Sequence, residues 1–419
     1  MELVCIECGK VRSVERPFPM GCECGGLTEV RHDFRGADAE KLKALFDARL
    51  MFRTGPYASG VWRYKELIDP VLDEAHIVTR GEGNTGLYDC GPAARHAGVR
   101  RVWLKAQGEN PSGSFKDNGM TAAVSRGVAA GCRAVACAST GNTSSSLAMY
   151  AARAGLRCVV LVPPGGVASG KLAQTYAYGA EVYALEGGYD AGVRLLNRYG
   201  ASLGLYVCNS VNPFRIEGQK SMIIEAAHQL GWSLPDWVVL PGGALSNASA
   251  VGKGLLEMKA IGLIDRVPRI AVVQAEGASP FHRMIASGGD TLVPEPAPRT
   301  AASAIRIGNP PSWRKAARVL RETNGVTCAV SDDEIMAAKR VIDRVGIGCE
   351  PAAAAGLAGL RKLAEDGVIG RDETALVVLT GHLLKDPDAI RPLETEDARR
   401  PIPPEELLAR LAARTPARA

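Results

Sequence analysis

Short apolar runs recur along this chain, with alanine-rich helical stretches between them. They are Val102-Trp103-Leu104, Ala134-Val135-Ala136-Cys137, Cys158-Val159-Val160-Leu161-Val162, Trp237-Val238-Val239-Leu240, Ile270-Ala271-Val272-Val273 and Ala375-Leu376-Val377-Val378-Leu379. Uninterrupted apolar strands are buried on both faces, and intervening helices supply the crossovers that parallel strands need. The class is therefore α/β. At 419 residues the chain exceeds what one core normally accommodates, so two domains with appendages are expected.

Composition narrows the partners. Hydrophobic residues make up 46% and charged residues 23%, as in an ordinary globular enzyme, and the net charge is only +5 with both signs interspersed. Neither a nucleic-acid nor a membrane partner is called for. No apolar run approaches the roughly 18 residues of a spanning helix, and Met1-Glu2-Leu3-Val4-Cys5 lacks a leader's apolar region, so a cytoplasmic protein is expected. Cys90, Cys132, Cys137, Cys158, Cys208, Cys328 and Cys349 stand singly, several inside strand-like runs, which suits reduced core thiols. The other four are paired: Cys5-x-x-Cys8 and Cys22-x-Cys24 read as half of a zinc ribbon whose second pair is one residue short, with His32 as a substitute ligand.

Several strand-like runs end in loops of small polar residues, where open α/β sheets bind their ligands. Ser139-Thr140-Gly141-Asn142-Thr143-Ser144-Ser145-Ser146 suits a carboxylate, and Gly243-Ala244-Leu245-Ser246-Asn247, leading into a helix over Ala250–Ala260, suits a phosphate. Thr380-Gly381-His382 ends the last run. Arg215 and Lys220 stand beside Asn209, Ser210 and Asn212, and an arginine suits bidentate grip of a phosphate dianion. Lys116 stands among turn-formers, Pro111-Ser112-Gly113-Ser114-Phe115-Lys116-Asp117-Asn118-Gly119, ahead of a helical run from Met120 to Val124. Such a turn aims one amine into a cleft, where desolvation makes it a nucleophile, and a buried lysine of this kind is how proteins usually hold pyridoxal phosphate. Taken singly, each segment is also an ordinary turn, helix cap or surface charge. No dinucleotide or Walker A fingerprint is present.

Together these elements resemble the threonine synthase family, fold-type-II pyridoxal-phosphate enzymes related to the tryptophan synthase β subunit. The resemblance rests on Asn110 through Asp117, Ser139 through Thr143, Asn209-Ser210-x-Asn212-Pro213-x-Arg215-x-Glu217-Gly218-Gln219-Lys220, Ala304 through Pro310, Cys349-Glu350-Pro351-Ala352 and Thr380-Gly381-His382-x-x-Lys385-Asp386-Pro387, and runs from about Gly81 to Pro387. It implies two three-layer domains with mainly parallel sheets, plus a small N-terminal knuckle. The expected divisions are 1–35 for the cysteine knuckle, 36–119 with 206–395 for a large cofactor domain, 120–205 for a small mobile substrate domain, and 396–419 for a helix and tail. By the same resemblance Lys116 carries the cofactor and catalyses, Asn142 bonds its phenolic oxygen, Gly243, Ala244, Leu245, Ser246 and Asn247 bind its phosphate, and Thr380 faces its ring nitrogen. Ser139, Thr140 and Thr143 hold the substrate carboxylate; Asn209, Ser210 and Arg215 hold the substrate phosphate; Cys5, Cys8, Cys22 and Cys24 are the candidate metal ligands.

The implied reaction turns O-phospho-L-homoserine and water into L-threonine and phosphate, in a homo-oligomer with a dimer first. Two departures keep alternatives open. Ala244 and Ser246 replace the inner Asn and Gly of the family's Gly-Asn-x-Gly-Asn loop, which strains any left-handed residue at 246, and Asn118 stands where many relatives carry Arg. A cysteate synthase-like enzyme acting on phosphoserine, a threonine or serine dehydratase, or a non-catalytic nucleic-acid-binding knuckle scaffold are the other readings.

Overall fold

The computed structural model describes residues 1–15, 21–164, 169–390 and 401–414. Among the described residues thirteen strands form three sheets. At the N-terminus β1 (Glu2–Cys5) pairs antiparallel with both β2 (Val11–Ser13) and β3 (Thr28–Arg31). The largest sheet contains β4 (Leu87–Asp89), β5 (Arg101–Ala106), β10 (Trp237–Pro241), β11 (Arg269–Ala275), β12 (Val326–Val330) and β13 (Thr374–Leu379), in the order β12-β11-β10-β13-β5-β4. Only the β4 edge runs antiparallel. A third, fully parallel sheet orders β8 (Glu181–Ala184), β7 (Arg157–Val162), β6 (Ala134–Ala138) and β9 (Leu205–Val207) side by side.

Both parallel sheets are covered on both faces, as the apolar runs require. In the large sheet Val238, Leu240, Ile270, Val272 and Leu376 face one core, while Trp237, Val239, Ala271, Val273 and Val377 face another. In the small sheet Val135, Cys137 and Val160 face one side and Ala134, Ala136 and Val159 the other. These are the three-layer units the sequence implies. The expected boundary at 395/396 falls outside the described residues; beyond it, Pro404–Arg414 is helical.

One helix joins the two units. It spans Lys116–Ala129, so it begins at the lysine itself and not at Met120. Ala122 packs into the large core, while Met120, Ala123 and Val124 pack into the small one. Against it lies the helix Pro213–Gln219, started by Pro213 and capped by Asn212, whose side chain accepts from Phe214 N at 3.0 Å. The crossing is very close. A Cβ on Gly218 would stand 2.0 Å from Asn118 O, and one on Gly119 2.8 Å from Arg215 O. Only glycine allows this approach, which fixes Arg215 relative to Lys116.

Candidate active site

A cavity of about 590 Å³ opens where strands of both parallel sheets end, the size range of small-molecule sites. Lys116, Ser139, Thr140, Asn142, Thr143, Asn209, Ser210, Arg215, Ala244 and Ser246 all line it. Residues from four separate loops therefore converge. Gly243, Leu245, Asn247 and Thr380 border these residues without being among the lining: Leu245 packs in the core, Asn247 donates to Pro241 O at 2.7 Å, and Thr380 is buried at the end of β13. The departing Asn118 also faces away, donating to Ser221 Oγ at 2.8 Å. Lys220 is elsewhere too, its amine bonded to Glu257 and to Leu67 O.

The lysine turn is held on both sides. Phe115 N donates to Thr380 O at 3.0 Å, and Ser114 bridges to Gly381. The Asp117 carboxylate accepts from Ser112 N at 2.7 Å and from the Ser112 and Ser146 hydroxyls at 2.6 Å each. Burial pushes this carboxyl up to about 6, against those bonds. Lys116 Nζ makes no hydrogen bond among the described residues and rests 3.6 Å from the Phe115 ring centroid. Burial, with the Arg215 charge, pushes its ammonium down to about 7, although Glu350 opposes the shift. The neutral amine is the nucleophile, so capture of pyridoxal phosphate by cofactor-free protein is expected to quicken as pH rises through about 7 and then level off. A capture rate still climbing towards pH 10 would show an ordinary lysine.

The loop after β10 differs from the expected strain pattern. The left-handed residue is Leu245, with φ of 66° and ψ of 9°, and Ser246 is already the first residue of the helix Ser246–Ala260. Placing a leucine there costs roughly 1–2 kcal/mol, offset by burial of its side chain in the large core. The turn leaves the helix N-terminus without a side-chain cap, with Ala244 and the Ser246 side chain on the cavity. Amides and a hydroxyl at such a terminus fit a phosphate. With an amine freed of oxygen partners in the same cavity, the residues present fit pyridoxal phosphate.

Across the cavity, Arg215 is buried and donates from Nη1 to Cys208 O at 3.0 Å. The Asn209 side chain accepts from Ala138 N at 3.1 Å and donates to Ala138 O at 3.0 Å, so it fastens the end of β6 while lining the site.

Two further residues, Glu350 and Lys385, stand in the motifs that carry the resemblance but were given no role by it. Glu350, preceding Pro351 at the start of the helix Pro351–Glu365, accepts from Asn142 Nδ2 at 3.0 and 3.1 Å and lies 3.5 Å from Thr380 Oγ1. Burial raises its carboxyl. Lys385 donates to Ser112 O, Ser145 Oγ and Gln174 Oε1 at 3.1, 3.0 and 2.6 Å, tying the segment after β13 to helices of the small unit. A carboxylate before a helix-starting proline, and a lysine after Thr-Gly-His, were the available signals. Far from this cavity, Cys5, Cys8, Cys22 and Cys24 gather their sulfurs within 4.8 Å of one another. His32 does not join them; its Nε2 meets Glu217 Oε2 at 2.6 Å.

The family model described as pyridoxal-phosphate dependent enzyme matches residues 78–381. A threonine synthase of Methanosarcina acetivorans is 44% identical over 93% of this chain and 93% of its own length. One from Methanocaldococcus jannaschii is 43% identical over 92% and 93%. The crystal structure of the Escherichia coli threonine synthase superposes with a TM-score of 0.73 over 98% of this chain and 94% of that one, at 19% identity, and shows the shared fold. Its amine-bearing cavity, its paired parallel sheets and its identity to these relatives over nearly its whole length make the chain a member of the threonine synthase family of pyridoxal-phosphate-dependent enzymes.

Proposed function

We propose that the chain converts O-phospho-L-homoserine and water to L-threonine and inorganic phosphate, the last step of threonine biosynthesis. The observation that carries this is the opening of Lys116 and Arg215 into one cavity, in a chain 44% identical to a threonine synthase. Pyridoxal phosphate, when bound, supplies a ring that accepts the electrons left at carbon as protons depart. Lys116 would hold it and move the protons: its amine takes one from Cα and then one from Cβ, phosphate leaves Cγ, protons return to Cγ and Cα, and water gives its hydroxyl to Cβ and its remaining proton to the departing phosphate. The start of the helix Ser246–Ala260 takes the cofactor phosphate, Asn142 its phenolic oxygen and Thr380 its ring nitrogen. Ser139, Thr140 and Thr143 hold the substrate carboxylate, and Asn209, Ser210 and Arg215 its phosphate. Buried arginine is suited to this last task, because a desolvated, charge-assisted bond is stronger than one in water.

The unit 120–205 rotates over the substrate against the body formed by 36–119 and 206–395, excluding water until Cβ is ready for it. Lys385 supports this reading, since two of its three bonds, to Ser145 and Gln174, cross from the body to the unit 120–205. A homodimer in the cytoplasm completes the proposal; no helix among the described residues is long and apolar enough to cross a membrane.

Phosphate release from phosphohomoserine and phosphoserine, with threonine as product, is the direct test. Phosphoserine as the better substrate, or ammonia and keto acid from threonine, would reject the proposal. Arg215→Ala is expected to lower kcat/KM for phosphohomoserine about 100- to 1,000-fold, a loss of roughly 3–4 kcal/mol, while cofactor content stays unchanged. Equal turnover by variant and parent would remove Arg215 from the phosphate site.

A further inference from the structure

Among the described residues of the first 35, little is buried. Their sheet has strands of only four, three and four residues, and the buried aliphatic side chains described there are Leu3, Val14 and Val30. Pieces this small usually need a metal or disulfides. Two tight turns face each other at one end. In the first, Gly9 N donates to Cys5 O at 3.1 Å; in the second, Gly25 N donates to Cys22 O at 2.9 Å and Cys22 N to Gly26 O at 3.0 Å. The turns bring Cys5 Sγ to 3.5 Å from Cys24 Sγ, and Cys8 Sγ to 3.6 Å from Cys22 Sγ. Four thiolates about 2.3 Å from a central zinc stand about 3.8 Å apart. All four sulfurs converge on one point, which two separate disulfides would not require. Packing around them is close: a Cβ on Gly26 would meet Cys5 Sγ at 2.8 Å. The missing residue of the Cys22-x-Cys24 pair therefore does not prevent convergence.

The knuckle is also joined to the substrate side of the molecule. Lys315 Nζ donates to Thr28 O at 2.7 Å, Arg318 pairs with Glu29, and Arg314 pairs with Glu7 at 3.2 Å. Leu3 and Val30 share a core with Phe214. From the end of β3, His32 reaches Glu217, two residues beyond Arg215 on the helix Pro213–Gln219.

We propose that Cys5, Cys8, Cys22 and Cys24 bind one tetrahedral zinc ion, and that this ion keeps the knuckle folded as a buttress behind the helix carrying Arg215. The neighbouring trio His32, Glu217 and Glu257 is no second metal site, because the Lys220 and Lys253 ammoniums already stand between its carboxylates.

The full chain, purified reduced and dialysed after addition of equimolar zinc, is expected to retain about one zinc per chain by mass spectrometry, and the C8S/C22S variant less than a tenth of that. Cobalt put in its place should give the visible bands of a tetrahedral thiolate site in the parent and none in the variant. Hydrogen exchange should then show the amides of 214–219 opening at least about tenfold faster in the variant, with β10, β11 and β13 unchanged. Should the variant fold poorly, stripping zinc from the parent with a tight chelator gives the same comparison. No zinc in the reduced parent, equal zinc in the variant, two disulfides in the protein as purified, or unchanged exchange at 214–219 after zinc loss would each overturn the proposal. None of these readouts uses turnover, so they stand apart from the activity assigned above.

Discussion

Lys116→Ala is expected to abolish covalent retention of pyridoxal phosphate and to lower kcat/KM by about 10,000-fold or more. Two functions disappear together. The side chain is the nucleophile that fastens the cofactor, and it is also the proton carrier, a role worth about 100- to 10,000-fold by itself. Its competitors are held differently. Lys385 lines the same cavity, yet its amine is already bonded to three oxygens. Lys105 is fully buried between Thr85 O, Gln229 and Glu225. Among the described residues only Lys116 combines access to the cavity with an amine resting on an aromatic face. Borohydride reduction of the holoenzyme followed by peptide mass spectrometry should therefore place the cofactor on the peptide containing Lys116, and on nothing in the variant. Fixation on Lys385 in the parent would overturn the assignment. A small primary amine added to the variant should restore part of the proton transfer but none of the retention, which separates the two functions.

How far the sequence carried the fold follows from burial. Strands covered on both faces declare themselves as apolar runs, and β5, β6, β7, β10, β11 and β13 lie where those runs lie. The strands β8, β9 and β12 went unread. β8 is a half-exposed edge, β9 has three residues, and β12 mixes Thr327 and Cys328 into its run. Loops carrying several small polar residues were legible as site loops, because their chemistry is local. Glu350 was not, because its meaning lies in a contact with Asn142, 208 residues away. The left-handed residue at 245 was not foreseen for another reason: the resemblance put the strain at 246, where the family loop carries glycine, and leucine disfavours that region unless its side chain is buried, as here. Arg215 and Lys220 stand five residues apart in one polar segment. The helix ends between them, and five residues of helical turn send one into the cavity and the other into a buried ion cluster.

That cluster carries the second large effect. Glu217→Gln is expected to destabilise the protein by about 3–5 kcal/mol, the usual cost of leaving buried charge uncompensated. The Glu217 side chain is 1% exposed and meets three partners: His32 at 2.6 Å, Lys220 at 2.6 Å and Lys253 at 2.6 Å. Burial raises its carboxyl, but Lys220, Lys253 and His32 outweigh it and hold the group well below the usual carboxylate range. With glutamine in its place, Glu257 alone faces both ammoniums. The pH dependence has a definite sign. A depressed carboxyl contributes stability that is complete above its unfolded value, about 4.3, and that fades as pH falls towards the folded value. Urea midpoints of parent and variant should thus differ by a constant amount from about pH 6 to 8 and converge below about pH 4. A gap that widened on acidification would mean that the carboxylate is not the stabilising species. Equal midpoints at pH 7 would mean that the two lysines find other partners, and that the wall behind Arg215 does not depend on this charge.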